Sequence, residues 1–171
     1  SLSDNGNNQD DVETINLPFD FSFYGQNYNQ ISICSNGWIA MGDTDMESFR
    51  NYQIPGMGGP GAMIAVFWDD LKFTNGGRVY TWYDDIEKKF YIEWSRVRTY
   101  QNNSLETFQA VLLDPSYYLT PTGDGEILLQ YKEFNNTSYT SGAQNHGNYC
   151  TVGTEDHTMT EGVQYTYNNE Y

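Results

Sequence analysis

The chain has 171 residues, enough for one domain with a sizeable core. Its 23 Asp and Glu against 8 Lys and Arg leave a net charge of −15, a field that repels phosphate backbones and anionic lipid. Nucleic acid and bare membrane surfaces are therefore poor partners, and no run of about 18 apolar residues exists to insert into a bilayer.

Residues 1–11 (SLSDNGNNQDD) are polar and read as a flexible lead-in, so a single domain is expected over 12–171. With Ser1 first, and neither an initiator Met nor a signal peptide, the sequence reads as a processed or excised segment. Residues 12–15 are expected as a short edge strand. Over 17–25, Phe19, Phe21 and Phe23 alternate with Asp20, Ser22 and Tyr24, the pattern of a half-buried strand. Ile31 and Ile33 resume the alternation. Asn36-Gly37 predicts a two-residue hairpin turn, because both residues tolerate positive φ. Trp38, Ile39 and Met41 begin the return strand.

Residues 43–53 read as a loop and 54–61 (IPGMGGPG) as a Gly/Pro-rich crossover. The continuous apolar run 63–67 (MIAVF) is short enough for a core strand. Residues 78–83 and 89–98 form a predicted hairpin, with Phe90, Ile92 and Trp94 on one face and Tyr91, Glu93 and Ser95 on the other. Further strands are predicted at 107–113, 126–131, 148–153 and 162–167. No segment longer than about ten residues has helical period with caps. Nine or ten short strands imply an all-β, antiparallel, jelly-roll-like β-sandwich without substantial helix.

Several segments, in order, resemble the NIDO-like β-sandwich superfamily of nidogen extracellular and plexin-domain-containing proteins. They are LPFDFSFYG at 17–25, SNGWIAMG at 35–42, MIAVFWDDL at 63–71, VYTWYDD at 79–85 and FYIEWSRV at 90–97. ETFQAVLLDP at 106–115, GEILLQYKE at 125–133 and VGTED at 152–156 continue the series. DPSYYLTPTGDGEILLQYKEFNN at 114–136 and EGVQYTYNN at 161–169 resemble the family's bacterial branch, modules of secreted gingipain-like or subtilisin-like peptidases with type IX secretion signals. The resemblance implies a sandwich and carries no catalytic residues with it. It also implies one more apolar strand after 167–169, where this sequence stops at Tyr171. The expectation is a sandwich lacking its final strand, which another segment or another copy supplies.

The candidate chemical groups are few. Cys34 and Cys150 leave two readings open, one long-range disulfide or two buried free thiols. His146 and His157, the only histidines, both sit in polar turns, and the sequence holds no G-x-S-x-G elbow. Asp69, Asp70, Asp84, Asp85 and Glu93 are acidic groups from which a glycosidase pair would be drawn, but acidic pairs in turns more often cap backbone. Asp69 and Asp70 are also candidate ligands for calcium, with hydrogen bonding to loop backbone as the alternative. Trp82, Tyr83 and Tyr91, with Trp94, are candidates for an aromatic platform that stacks on sugar, and alternation sends Tyr91 and Trp94 to opposite faces. Asn102, Asn135 and Asn136 begin N-x-[ST] sequons.

High Tyr, Gly, Asn and Thr with little Lys suits an extracellular or cell-surface protein. The expected function is a non-enzymatic structural or adhesion module. It acts by contact with copies of itself or another extracellular protein, through an exchanged strand or tail that builds a surface layer or filament. The alternative is an accessory carbohydrate- or peptide-binding module of a secreted peptidase.

Overall fold

Period-two patterning builds nearly the whole molecule. A computed structural model of the chain describes residues 2–6, 9–135, 137 and 149–169. The strands are β1 (Val12–Phe23), β2 (Gln26–Cys34), β3 (Trp38–Met41), β4 (Met63–Trp68), β5 (Leu71–Lys72) and β6 (Arg78–Asp84). They continue with β7 (Lys89–Thr99), β8 (Leu105–Leu113), β9 (Ile127–Glu133), β10 (Thr151–Glu155) and β11 (Gly162–Tyr167). The one helical element among the described residues is a single 3₁₀ turn, Thr74–Gly76.

All strand pairs are antiparallel. The first sheet runs β1-β2-β3-β4-β10-β11. In the second, β7, β8 and β9 follow in order, and β5 and β6 lie one after the other along the free edge of β7. Most connections are therefore local hairpins. The chain changes sheet only after β4 and after β9.

The core lies between the sheets. Phe21, Ile31, Ile39, Ile64 and Val66 come from the first, and Phe90, Ile92, Trp94, Phe108 and Leu112 from the second. Phe108 stacks on Phe67 and on Trp94, each pair with centroids 5.2 Å apart. The buried indole N–H of Trp94 donates to the Cys34 carbonyl at 2.9 Å, tying the sheets with a satisfied polar group.

The first sheet is covered on its outer face as well. Every residue of β4 is buried, which is why its run is apolar without alternation. Trp38, Ala40, Met63, Ala65 and Trp68 form a second apolar cluster with Ile54 of the 43–62 connection. The Ser48 carbonyl accepts from both Trp38 and Trp68 Nε1, each at 2.9 Å. The connection expected as a loose crossover is thus a third layer.

Four further details differ from the expectations. Residues 12–23 form one strand, with a register shift between Asn16 and Phe21 in place of a separate edge strand. Cys34 pairs with Trp38, so the hairpin turn has three residues, Ser35, Asn36 and Gly37. Only Gly37 takes positive φ there (76°), and a Cβ on it would collide with the Phe67 carbonyl. Asn36 is buried and used otherwise: its Oδ1 accepts from Leu71 N–H and its Nδ2 donates to Asp10, both at 2.9 Å. The two-residue β5 carries too little pattern to be read from sequence.

The described part of the lead-in is docked rather than free. Asp4 is only 4% exposed, its carbonyl accepts from Phe73 N–H at 2.6 Å, and Leu2 packs on the core. Asp11 accepts from Ser3 N–H through its carboxylate and from Ser35 N–H through its carbonyl. Polar composition suggested disorder, but the carbonyls of Asp4 and Asp11 satisfy backbone donors of the body, and their carboxylates satisfy N–H groups within the lead-in.

Candidate binding surfaces

Two surfaces combine exposure with organised chemistry. The first is the seam between β9 and β11, the edge strands of the two sheets. A cleft of about 570 Å³ opens there, with Leu129, Tyr131 and Phe134 on one side and Val152, Val163 and Tyr165 on the other. Val163 is 67% and Tyr165 78% exposed, far above the usual burial of such side chains. The walls are firm: the Tyr131 hydroxyl donates to the Val66 carbonyl at 2.7 Å, and Phe134 packs edge-on against Phe67 and Tyr131.

The second surface is the outer face of the second sheet. Strand register sets two neighbouring rows across it. One row is Trp82, Tyr91, Val111 and Leu128, and the next is Tyr80, Glu93, Gln109 and Gln130. Trp82 and Tyr91 stack with centroids 5.2 Å apart, and Gln109 Nε2 donates to Gln130 Oε1 at 2.6 Å. A groove of about 550 Å³ continues over the polar row toward Arg96, Thr107 and Lys132.

The ring candidates thus separate. Trp82 and Tyr91 lie outward together. Tyr83 packs on the core with its ring 5.9 Å from Phe19, and Trp94 is fully buried. Tyr80, Gln109 and Gln130 were missed by sequence reasoning. Alternation within each strand puts them outward, but only the register between strands brings them into one row.

The acidic candidates largely hold backbone. Asp69 is buried and its Oδ1 accepts from Asp70 N–H at 2.8 Å. Asp84 Oδ1 accepts from Ile86 and Glu87 N–H, each at 3.0 Å, and Asp85 pairs with Lys88 at 2.7 Å. Among the described residues, no three His, Cys, Asp or Glu side chains gather as a metal site. Burial pushes the Asp4 carboxyl up to about 6. Bonds from Ser35 and Gly6 counter this, while the charges of Asp10 and Asp70 add to it. Burial likewise raises Asp10 and Glu155. Asp156 is held well below the carboxylate range, first by the Thr158 hydroxyl and then by N–H groups of Glu161, Thr160 and Thr158.

Cys34 and Cys150 are both free and buried, Cys34 in the outer cluster and Cys150 in the core between the sheets. Of the two readings, the structure therefore holds the free thiols. Burial drives both far above the ordinary thiol range, so neither is poised as a nucleophile. His157 is exposed, with Asp156 4.0 Å away, and His146 lies outside the described residues. Asn102 donates its amide to the Thr137 carbonyl and Asn135 donates to the Leu105 carbonyl. Glycan attachment at either would require that nitrogen to leave its bond. Asn136 also lies outside the described residues.

No curated protein and no solved structure matches the chain. A family model described as NIDO related matches residues 2–171, across the two sheets and the docked lead-in alike. With essentially its whole length matched and both sheets in place, the chain belongs to the NIDO-related family.

Proposed function

We propose that this chain is a non-catalytic extracellular module that acts by protein–protein contact, joining copies of itself through β11. The observation that carries this reading is the open seam, where an edge strand with exposed Val163 and Tyr165 borders an apolar cleft. Edge strands invite pairing, because one row of their backbone groups has no ladder partner. A second copy offers the complement. Antiparallel pairing of β11 with its twin is self-complementary, continues the first sheet across both copies and covers the exposed side chains of both. A contact of another kind elsewhere on the surface would extend such pairs into a filament. The resemblance to bacterial modules that accompany secreted gingipain-like or subtilisin-like peptidases supports an extracellular setting.

The net charge of −15 opposes association, so pairing strengthens as salt screens the repulsion. Sedimentation of the chain and of Val163→Lys tests the proposal. The expected result is a concentration- and salt-dependent dimer for the parent and a monomer for the variant, with matching circular dichroism. A parent that stays monomeric into the mM range, even in high salt, overturns it.

A further inference from the structure

The outer face of the second sheet does not take part in that pairing, and its chemistry is of another kind. It sets an apolar row, with Trp82 and Tyr91 at one end, beside a largely polar row, about 7 Å apart along the strands and spanning roughly 14 Å across four of them. Trp82 and Tyr80 are 59% and 55% exposed, so the rings present hydrocarbon surface to water. The two glutamine amides share one hydrogen bond, which uses one donor and one acceptor of the pair. Each amide therefore retains further capacity for hydroxyl groups.

We infer that this face binds a neutral, pyranose-based oligosaccharide, with the sugar's C–H face on Trp82 and Tyr91 and its hydroxyl groups on Glu93, Gln109 and Gln130. Both halves of a pyranose find their match. Its axial C–H bonds stack on an aromatic plane, and its equatorial hydroxyls reach planar amides, which donate and accept, and a carboxylate, which accepts. A peptide strand would leave the polar row poorly used, because this row lies on a sheet face and offers no unpaired backbone edge.

Charge selects the class of saccharide. Glu93 and Glu133 offset Arg96 and Lys132 around the groove, while the chain as a whole carries −15. An acidic polysaccharide is repelled by that field, and a neutral one is not.

The tryptophans provide a direct readout. Trp38, Trp68 and Trp94 are fully buried, so acrylamide quenching of indole fluorescence reports on Trp82. The full chain is titrated with neutral cello-, xylo-, manno- and chito-oligosaccharides. At least one series is expected to protect Trp82 from quenching. Trp82→Phe, read by calorimetry, retains a ring and is expected to retain weakened binding. Trp82→Ala and Gln109→Ala are each expected to lose about tenfold or more in affinity, with unchanged thermal unfolding. Tyr117→Ala, an exposed ring of the connection between β8 and β9, is expected to leave affinity unchanged.

Failure of every series to protect Trp82, or undiminished binding in Trp82→Ala, overturns the inference. Protection that rises only with the protein's own concentration also overturns it, because the face is then a protein contact. The inference is independent of the β11 pairing: Val163→Lys should bind sugar as the parent does.

Discussion

The two long seams of the sandwich are finished differently. On the β1 and β6 side, Phe19 meets Tyr83, Ile15 and Val79 also pack against the core, and Leu2 and Asp4 of the lead-in dock beside Phe73. On the β9 and β11 side, Leu129, Tyr131 and Phe134 face Val163 and Tyr165 across an open cleft. The first seam is closed over part of its length by the chain's own residues, beside a cleft of about 650 Å³ that Asp4, Glu13 and Arg78 help to line, and the other leaves apolar side chains in water. In so acidic a chain, an uncovered apolar edge is the feature that supports the contact proposed for β11. The closed seam should therefore carry stability and the open one association.

The largest effect tests the core that both seams flank. Trp94→Ala removes a fully buried indole and its bond to Cys34, and is expected to cost about 3–5 kcal/mol in urea unfolding. Phe19→Ala, at the closed seam, should cost about 2 kcal/mol by the same measurement. Tyr165→Ala, at the open seam, should stay within about 0.5 kcal/mol. A Tyr165→Ala cost equal to that of Phe19→Ala would erase the distinction between the seams.

A smaller effect separates the seams by pH. Asp4 titrates near 6 in the folded chain, above its ordinary value of 3.8, so the folded state binds this proton more readily. The stabilisation from protonated Asp4 is fully present below about 3.8 and is lost as pH rises through 6. The protection factor of the Phe73 amide, which donates to the Asp4 carbonyl, should accordingly rise between pH 7 and 5 once the intrinsic pH dependence of exchange is divided out, and Asp4→Asn should remove that rise. Asp156, in the turn between β10 and β11, behaves in the opposite sense. Its folded-state value is lowered, so its contribution is present above the ordinary carboxylate range and is lost as pH falls below it. Protection factors in that turn should not change between pH 7 and 5.

Legibility in the sequence followed the physics of each element. Phe90, Ile92 and Trp94 were placed correctly because period-two alternation depends on neighbours within one strand. Trp82 and Tyr91 could be singled out as rings, but their stacking with each other rather than with Tyr83 is a matter of register between strands. The docked lead-in was misread because composition reports the cost of ordering a polar segment and not the donors waiting to receive it. Asp4 and Asp11 find theirs in residues distant in sequence. The open seam had no signature within any one strand. Its location between β9 and β11 depends on which strands end up at the sheet edges, and β10 reaches its place by pairing with β4.

Hydrogen exchange of β11 as a function of protein concentration tests the central claim most directly, with β6 as the internal reference. β6 is also an edge strand, and it borders the closed seam. Amides of β11 should exchange more slowly as concentration rises, while those of β6 stay constant. Equal rates in β11 at all concentrations, or the same slowing in both strands, would contradict pairing through β11.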